Sequence, residues 1–359
     1  MFDCAEDVLA YHNDKVTLPT PQQTKMRERR NANRDRVRKG LKDQGKPAVR
    51  EFRSQGSYAM KTMVQHPDND YDIDDGVYFD KEVLVGERGA EMTALQARQM
   101  VRDAVDDGSF KKKPEVRTNC VRVYYVEGYH VDLPVYRRVT TKDAFGNETF
   151  HYELASSDWK RSDARDVTAW FDEENKRQSP DDDNGLQLRR VTREIKKYSR
   201  SRSSWGSQIL SGFGITKLVT ECFRGDAARE DKALYDTMKA IRDRLTYNLV
   251  VQHPVTPGDT ITKGNDDPKA RYLRERLTDA INNLAPLFDP KCTREIALKC
   301  WDKVYDTTFF SDRLEQTASA SAKSDLGSPA VFSSGLLSAA AAVAAGQNAV
   351  RKEGGGRYA

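Results

Sequence analysis

The chain has 359 residues, enough for two or three domains' worth of core. Its 59 Lys and Arg nearly balance 55 Asp and Glu, leaving a net charge of +4; this argues against a polycationic nucleic-acid coat and leaves only local basic patches for phosphates. Five scattered cysteines without a CxxC pair argue against zinc and dithiol motifs, and the longest apolar run, "GLLSAAAAVAAG", is too short and Ala-rich to span a bilayer. With no basic-then-apolar leader at the start, the expectation is a cytoplasmic protein with reduced thiols.

"LPTPQQTKMRERRNANRDRVRKGLKDQGK" predicts a long helix with Thr20 as N-cap, Pro21 at N1, Gln23 at N3 of a capping box and Gly45 as the stop. Met26, Val37 and Leu41 form its thin apolar stripe. Its many Arg and Lys read either as a solvated face or as a positive rim beside a phosphate cleft. Residues 51 to 80 read as strand or turn, short helix, loop, then strand. "AEMTALQARQMVRDAVDD" predicts a helix with Met92, Leu95, Met100 and Val101 near one face. "EVRTNCVRVYYVEGYHVDLPVYRR" predicts two alternating strands joined near Glu127 and Gly128.

Beyond Trp159 the character turns helical. "SDARDVTAWFDEENKR" has Ser162 or Asp163 as cap and Val167, Trp170 and Phe171 on one face. An acidic loop over 180–185 precedes helices within 186–202, 212–223, 229–250, 268–288 and 290–305, with a long polar loop before the fourth. From Ser311 onward Ala, Ser and Gly dominate, as in a flexible tail.

The chemistry concentrates in "QGSYAMKTMVQHPDNDYDIDDGVYFD", residues 55 to 80. Strand alternation puts Asp72 and Asp74 on one face and Ile73 and Asp75 on the other, which makes Asp75 structural. Asp132 lies mid-strand in "HVDLPVY". If that strand neighbours the first, three carboxylates converge, an oxygen-rich set that suits Mg²⁺. A Gly-Ser turn at a helix start, Gly56 and Ser57, presents N–H groups and a hydroxyl to a phosphate. His66, His130 and His151 lack ligand spacing.

Gly-Ser, a gap, a strand Asp-x-Asp and a later strand Asp together resemble the nucleotidyltransferase superfamily of poly(A) polymerases, oligoadenylate synthases and cyclic GMP–AMP synthases. "QGSYAMKTM", "YDIDDGVYF", "HVDLPVY", "DWKRSDARDVTAWF" and "EIKKYSRSRSSWGSQILSGFGITKL" narrow the resemblance to the bacterial CD-NTases of anti-phage signalling (CBASS), and within them to the cyclic GMP–AMP synthase type. It runs from about Gln55 to Leu218. It implies an α+β, polymerase-beta-like mixed-sheet core over 1–160, a helical domain over 161–315 that closes a two-lobed cleft, and a tail over 316–359.

The resemblance also implies site roles. Asp72, Asp74 and Asp132 would ligate two Mg²⁺ ions (Mn²⁺ is the alternative), with Asp132 helping to deprotonate the attacking hydroxyl. Gln55, Gly56 and Ser57 would line the donor triphosphate site, with Lys196 and Ser211 on the phosphates. Arg122 would contact nucleotide, or pair with a carboxylate; Ser162 would touch the acceptor, or serve only as a cap. The family's Trp after the lysine is Tyr198 here, and the spacing from Lys196 to Ser211 is about one residue longer than the family's, so Lys197 or Ser207 stand as alternatives.

The expected activity joins ATP and GTP, or another NTP pair, into a cyclic dinucleotide read by a downstream effector. The alternatives are a linear nucleotidyltransferase acting on RNA, protein or a small acceptor, and a decayed nucleotide binder. A nucleic-acid activator is not expected. The small-ended "GGGRYA" tail resembles those that a ubiquitin-transfer-like partner conjugates.

Overall fold

The computed structural model describes residues 1–66, 71–86, 89–142, 144, 148–182 and 185–314. The chain opens with α1 (Ala5–Tyr11), a π-helical turn (His12–Val16) and the long α2 (Thr20–Asp43). Then come β1 (Glu51–Gln55), the short α3 (Gly56–Ala59), β2 (Asp72–Asp80) and α4 (Ala94–Val105). The strands β3 (Glu115–Val116), β4 (Val121–Tyr124), β5 (His130–Leu133), β6 (Val135–Lys142), β7 (Glu148–Ala155) and β8 (Trp159–Arg161) complete one eight-stranded mixed sheet.

β2 is the axis of that sheet. β1 runs antiparallel along one edge, and β5 then β6 run parallel along the other. Pro134 interrupts β5–β6 because it has no N–H for the ladder, yet its carbonyl still accepts from Val77 N–H at 2.8 Å. Alternation divides the strands into two faces. Ile73, Val77, Phe79, Val121, Val123, Val131 and Leu133 point back into a core closed by Met26, Val37 and Leu41 of α2 and Ala97, Val101 and Ala104 of α4. At the crossing of those helices a Cβ on Gly40 would lie 2.0 Å from the Ala104 carbonyl oxygen, so only glycine lets them approach.

The remaining helices, α5 (Ala164–Gln178), α6 (Gln187–Ser199), α7 (Gly212–Cys222), α8 (Glu230–Tyr247), α9 (Pro268–Leu284) and α10 (Arg294–Tyr305), share a second core around Phe171, Ile195, Leu218, Met238, Leu277 and Trp301. The fold is thus the expected α+β sheet lobe with a helical lobe. Among the described residues no helix is long and apolar enough to cross a membrane.

Four expectations are corrected. The start of the chain is not part of the sheet lobe: Cys4, Val8, Tyr11 and Val16 are buried in the helical core, and Asp7 is held by Arg294 at 2.9 Å and Arg313 at 2.8 Å. The N-cap of α2 is Pro19 rather than Thr20, and Gln23 Nε2 donates to the Leu18 carbonyl at 2.7 Å instead of closing a capping box. The capping box belongs to α4, between Thr93 and Gln96, whose rotation leaves Leu95 exposed and buries Arg98 in its place. The polar face of α2 is mostly spent on the sheet lobe, with Arg29 on Glu127, Arg34 on Asp75 and Arg36 on Asp107, which weakens its reading as a phosphate rim. The tail over 316–359, and part of the acidic loop, lie outside the described residues.

Candidate active site

The front face of the sheet carries the polar partners of the same alternation. The parallel register of β2 and β5 sets Asp74 level with Asp132 and Asp72 level with His130, while β1 sets Gln55 beside Asp74. The three predicted carboxylates therefore share one face at the mouth of adjacent strands. Asp75, on the other face, is fully buried; Arg34 grips it from two nitrogens at 2.7 and 2.6 Å, and Ser54 Oγ donates to it at 3.1 Å. Its structural role is as expected.

The front carboxylates are not equivalent. Asp132 is 7% exposed and receives Arg122 in a bidentate pair, both bonds at 2.7 Å. This pairing follows from antiparallel β4–β5, in which Arg122 lies directly across from Asp132. The same guanidinium is 3.5 Å from Asp72, whose side chain is about half exposed. Asp74 is pushed up to about 7, first by burial, then by the charges of Asp132 and Asp72, with Arg122 opposing. Among the described residues no three such groups already close on a metal position. Asp72, Asp74 and Asp132 are hard oxygen donors gathered on one face, a set that suits a divalent cation.

The Gly-Ser turn is built against these carboxylates. Gly56 has φ +61°, and a Cβ there would sit 2.2 Å from Asp74 Oδ2. Glycine is required twice, by backbone and by space. Gln55 behaves differently from the donor-site expectation. It is 4% exposed; its Nε2 donates to Tyr78 OH at 3.2 Å and its Oε1 accepts from Tyr136 OH at 3.0 Å. Those rings stack with centroids 4.6 Å apart, so Gln55 anchors the turn in the sheet.

Ser57 lines a small cleft of about 80 Å³ with Asp72, Lys196, Arg200, Tyr71, Met63 and Val64. Lys196 is 4% exposed and donates to the Thr62 carbonyl at 2.7 Å. Its amine is pushed down to about 7 by burial first, then by Arg200 and Arg193. Between the two candidate lysines, the structure puts Lys196 in the cleft and turns Lys197 to the Gln65 carbonyl at 3.0 Å. Gly212 is the bare spot that Lys196 lies against, 3.1 Å from Cε to a hypothetical Cβ. Ser211 N-caps α7, its Oγ accepting from Gly214 N–H at 3.2 Å, while Ser207 is exposed in a turn. Ser162 is not the cap of α5; Asp163 is, accepting from Arg165 N–H at 3.0 Å, and Ser162 N–H donates to the Tyr152 carbonyl.

Two residues beside these carboxylates were given no site role in the sequence reading. Arg200 lies one helical turn beyond Lys196, and that i+4 spacing was its signal. His130 alternates with Asp132, and its Nε2 is 3.3 Å from Asp72 Oδ1.

Residues 50–136 match the family described as "Cyclic GMP-AMP synthase DncV-like, nucleotidyltransferase domain". The fold resembles solved structures of two bacterial proteins. *Vibrio cholerae* DncV, described as a cyclic AMP-GMP synthase and prokaryotic cGAS homolog, is 17% identical with TM-score 0.65, over 85% of this chain and 96% of that one. *Escherichia coli* DncV bound to 3'-deoxy GTP is 18% identical with TM-score 0.62, over 81% and 92%. The *Vibrio* protein has also been solved with the linear intermediate 5' pppA(3',5')pG, at 16% identity and TM-score 0.62, over 82% and 93%.

Proposed function

We propose that this chain, a nucleotidyltransferase of the DncV-like bacterial CD-NTases, joins two NTPs and closes them into a cyclic dinucleotide, with ATP and GTP as the favoured pair and cyclic GMP–AMP as the favoured product. One observation carries the reading: the register that sets Asp74 beside Asp132, with Asp72 on the same face and the Ser57 turn at the same mouth. The solved *Vibrio* complex with a linear dinucleotide supports the two-step course by likeness of fold.

In this reading Asp72, Asp74 and Asp132 hold Mg²⁺, which supplies charge neutralisation at the α-phosphate and the departing pyrophosphate. The residues of the chain do the rest. Ser57 and Lys196 orient the donor triphosphate from opposite walls of the cleft, and Arg200 adds a third contact. Asp132 accepts the proton of the attacking ribose hydroxyl, and Arg122 holds that carboxylate in place. Ser211 and Gly212 form the wall that lets Lys196 extend to the phosphates. Catalysis is then mostly positioning and electrostatics. Ser162, at the β8–α5 junction, is the proposed acceptor-side contact.

The test is mass spectrometry of products from NTP mixtures with Mg²⁺. A phosphatase-resistant cyclic product with released pyrophosphate supports the proposal. A phosphatase-sensitive product would turn it toward linear NMP transfer. Anti-phage signalling, an effector that reads the product, and conjugation of the tail by a ubiquitin-transfer-like partner belong to the same proposal.

A further inference from the structure

The segment over residues 61–65 is fastened to α6 by three neighbouring cations. Arg193 Nε donates to the Lys61 carbonyl at 2.7 Å, Lys196 Nζ to the Thr62 carbonyl at 2.7 Å, and Lys197 Nζ to the Gln65 carbonyl at 3.0 Å. Spacings of three and four residues put these side chains on one ridge of the helix. The segment is fastened from its other side too: Gln65 N–H donates to the Val16 carbonyl at 2.9 Å, and Gln65 Nε2 to the carbonyls of Thr17 at 2.7 Å and Asp14 at 3.0 Å. Met60 and Val64 are buried in the helical core, not the sheet core.

This fastening reaches the chemistry through the Ser57 turn. Thr62 N–H donates to the Ser57 carbonyl at 2.8 Å, so a shift of the segment moves the turn that carries Ser57. Lys61 has φ +57°, an unfavourable conformation for a side chain with a Cβ, and persists because its surroundings over-determine it. The three cations do not have equal prospects. Lys196 alone borders the cleft with Ser57 and Asp72, and a donor phosphate is a stronger acceptor for its amine than a carbonyl. Its depressed proton affinity fits a group awaiting an anion.

We propose that Arg193 and Lys197 are positioning residues of the donor site: they hold residues 61–65 on α6 so that Ser57 stays aligned with Asp72, and they keep that hold when Lys196 leaves the Thr62 carbonyl for a donor phosphate. The inference rests on the reading of Ser57, Asp72 and Lys196 as the donor site.

The experiment compares full-length Lys196→Met, Lys197→Met and Lys197→Arg, with Arg193→Lys as a second probe of the ridge. Two readouts are taken: pyrophosphate release from NTPs, and hydrogen–deuterium exchange over residues 58–66 without nucleotide. Lys197→Met is expected to lose about tenfold or more in kcat and to exchange about tenfold faster over 58–66, because a small misplacement near reacting groups is costly. Lys197→Arg should restore both. Lys196→Met should raise KM for NTP about tenfold or more, because the amine that meets the donor phosphate is gone, whereas Lys197→Met should leave KM within about threefold of wild type. Wild-type kinetics in Lys197→Met, even with a lowered Tm, would overturn the proposal by reducing the ridge to a structural role. Unchanged exchange in Lys197→Met and Arg193→Lys would overturn it as well. Absence of pyrophosphate release from wild type would instead overturn the proposed function, leaving the exchange readout to decide whether the ridge holds the loop.

Discussion

Carboxylates are gathered in both lobes, and the two gatherings are treated oppositely. In the helical lobe three buried acids are matched by arginines. Asp7 lies between Arg294 and Arg313, Asp231 receives Arg229 at 2.9 Å, and Glu230 receives Arg190 in two bonds at 2.9 and 2.8 Å. On the front of the sheet Asp72 and Asp132 share Arg122, with Asp74 beside them. The same contrast runs through two successive residues of β2: Asp75 is matched by Arg34, whereas Asp74 is raised by burial and then by its like-charged neighbours. The buried acids matched by arginines serve structure, whereas in the proposed function the crowded front carboxylates hold a cation.

The contrast breaks most visibly under deletion. Asp72→Ala combined with Asp74→Ala is expected to abolish pyrophosphate release, a loss of about 10³-fold or more, while the Tm holds or rises because repulsion is relieved. A destabilised double variant would contradict the charge-deficient reading. Asp7→Ala should do the reverse. It removes the shared carboxylate of two partly exposed arginines and should cost about 1–3 kcal/mol in denaturant titrations, with activity per folded molecule retained.

A third variant sharpens the geometry of the front face. Gly56→Ala drives a Cβ toward Asp74 Oδ2 at a positive φ, and should lower kcat about 10- to 100-fold with the fold intact by circular dichroism.

Lys196 gives a pH test. Its proton affinity is lowered to about 7 in the fold, so between pH 7 and its ordinary 10.5 the unfolded chain binds more protons and stability rises with pH. Lys196→Met should flatten that rise in thermal melts. In wild type, NTP binding at pH 8 should take up a proton, visible in calorimetry as a dependence on buffer ionisation enthalpy, and the variant should show none.

The smallest effect is that of the cation itself. Mg²⁺ at ten times its Kd should stabilise wild type by about 1.4 kcal/mol, reversibly with EDTA. The Asp72→Ala, Asp74→Ala protein should not respond.

Much of the site was readable before folding because its information is local. Period-two alternation separated Asp74 from Asp75, and the helices of the second lobe announced themselves through apolar spacing. The hold of Gln55 on the sheet was not legible because its partners, Tyr78 and Tyr136, lie 23 and 81 positions away. The N-terminal segment was misplaced for a related reason: Val8 and Tyr11 look like any short amphipathic turn, and nothing local says which of two cores they enter.

By itself the sequence determined which side chains share a strand face, where glycine must stand, and which chemistry three carboxylates and a Gly-Ser turn allow. Backbone geometry enforces those things over a few residues. Only the tertiary structure decided that β5 lies beside β2 in the register that pairs Asp132 with Asp74, that Arg122 is held by Asp132, and that the loop behind Ser57 is fastened to α6. Register and lobe contact are set by burial and hydrogen bonding between segments far apart in the chain, and no local pattern encodes them.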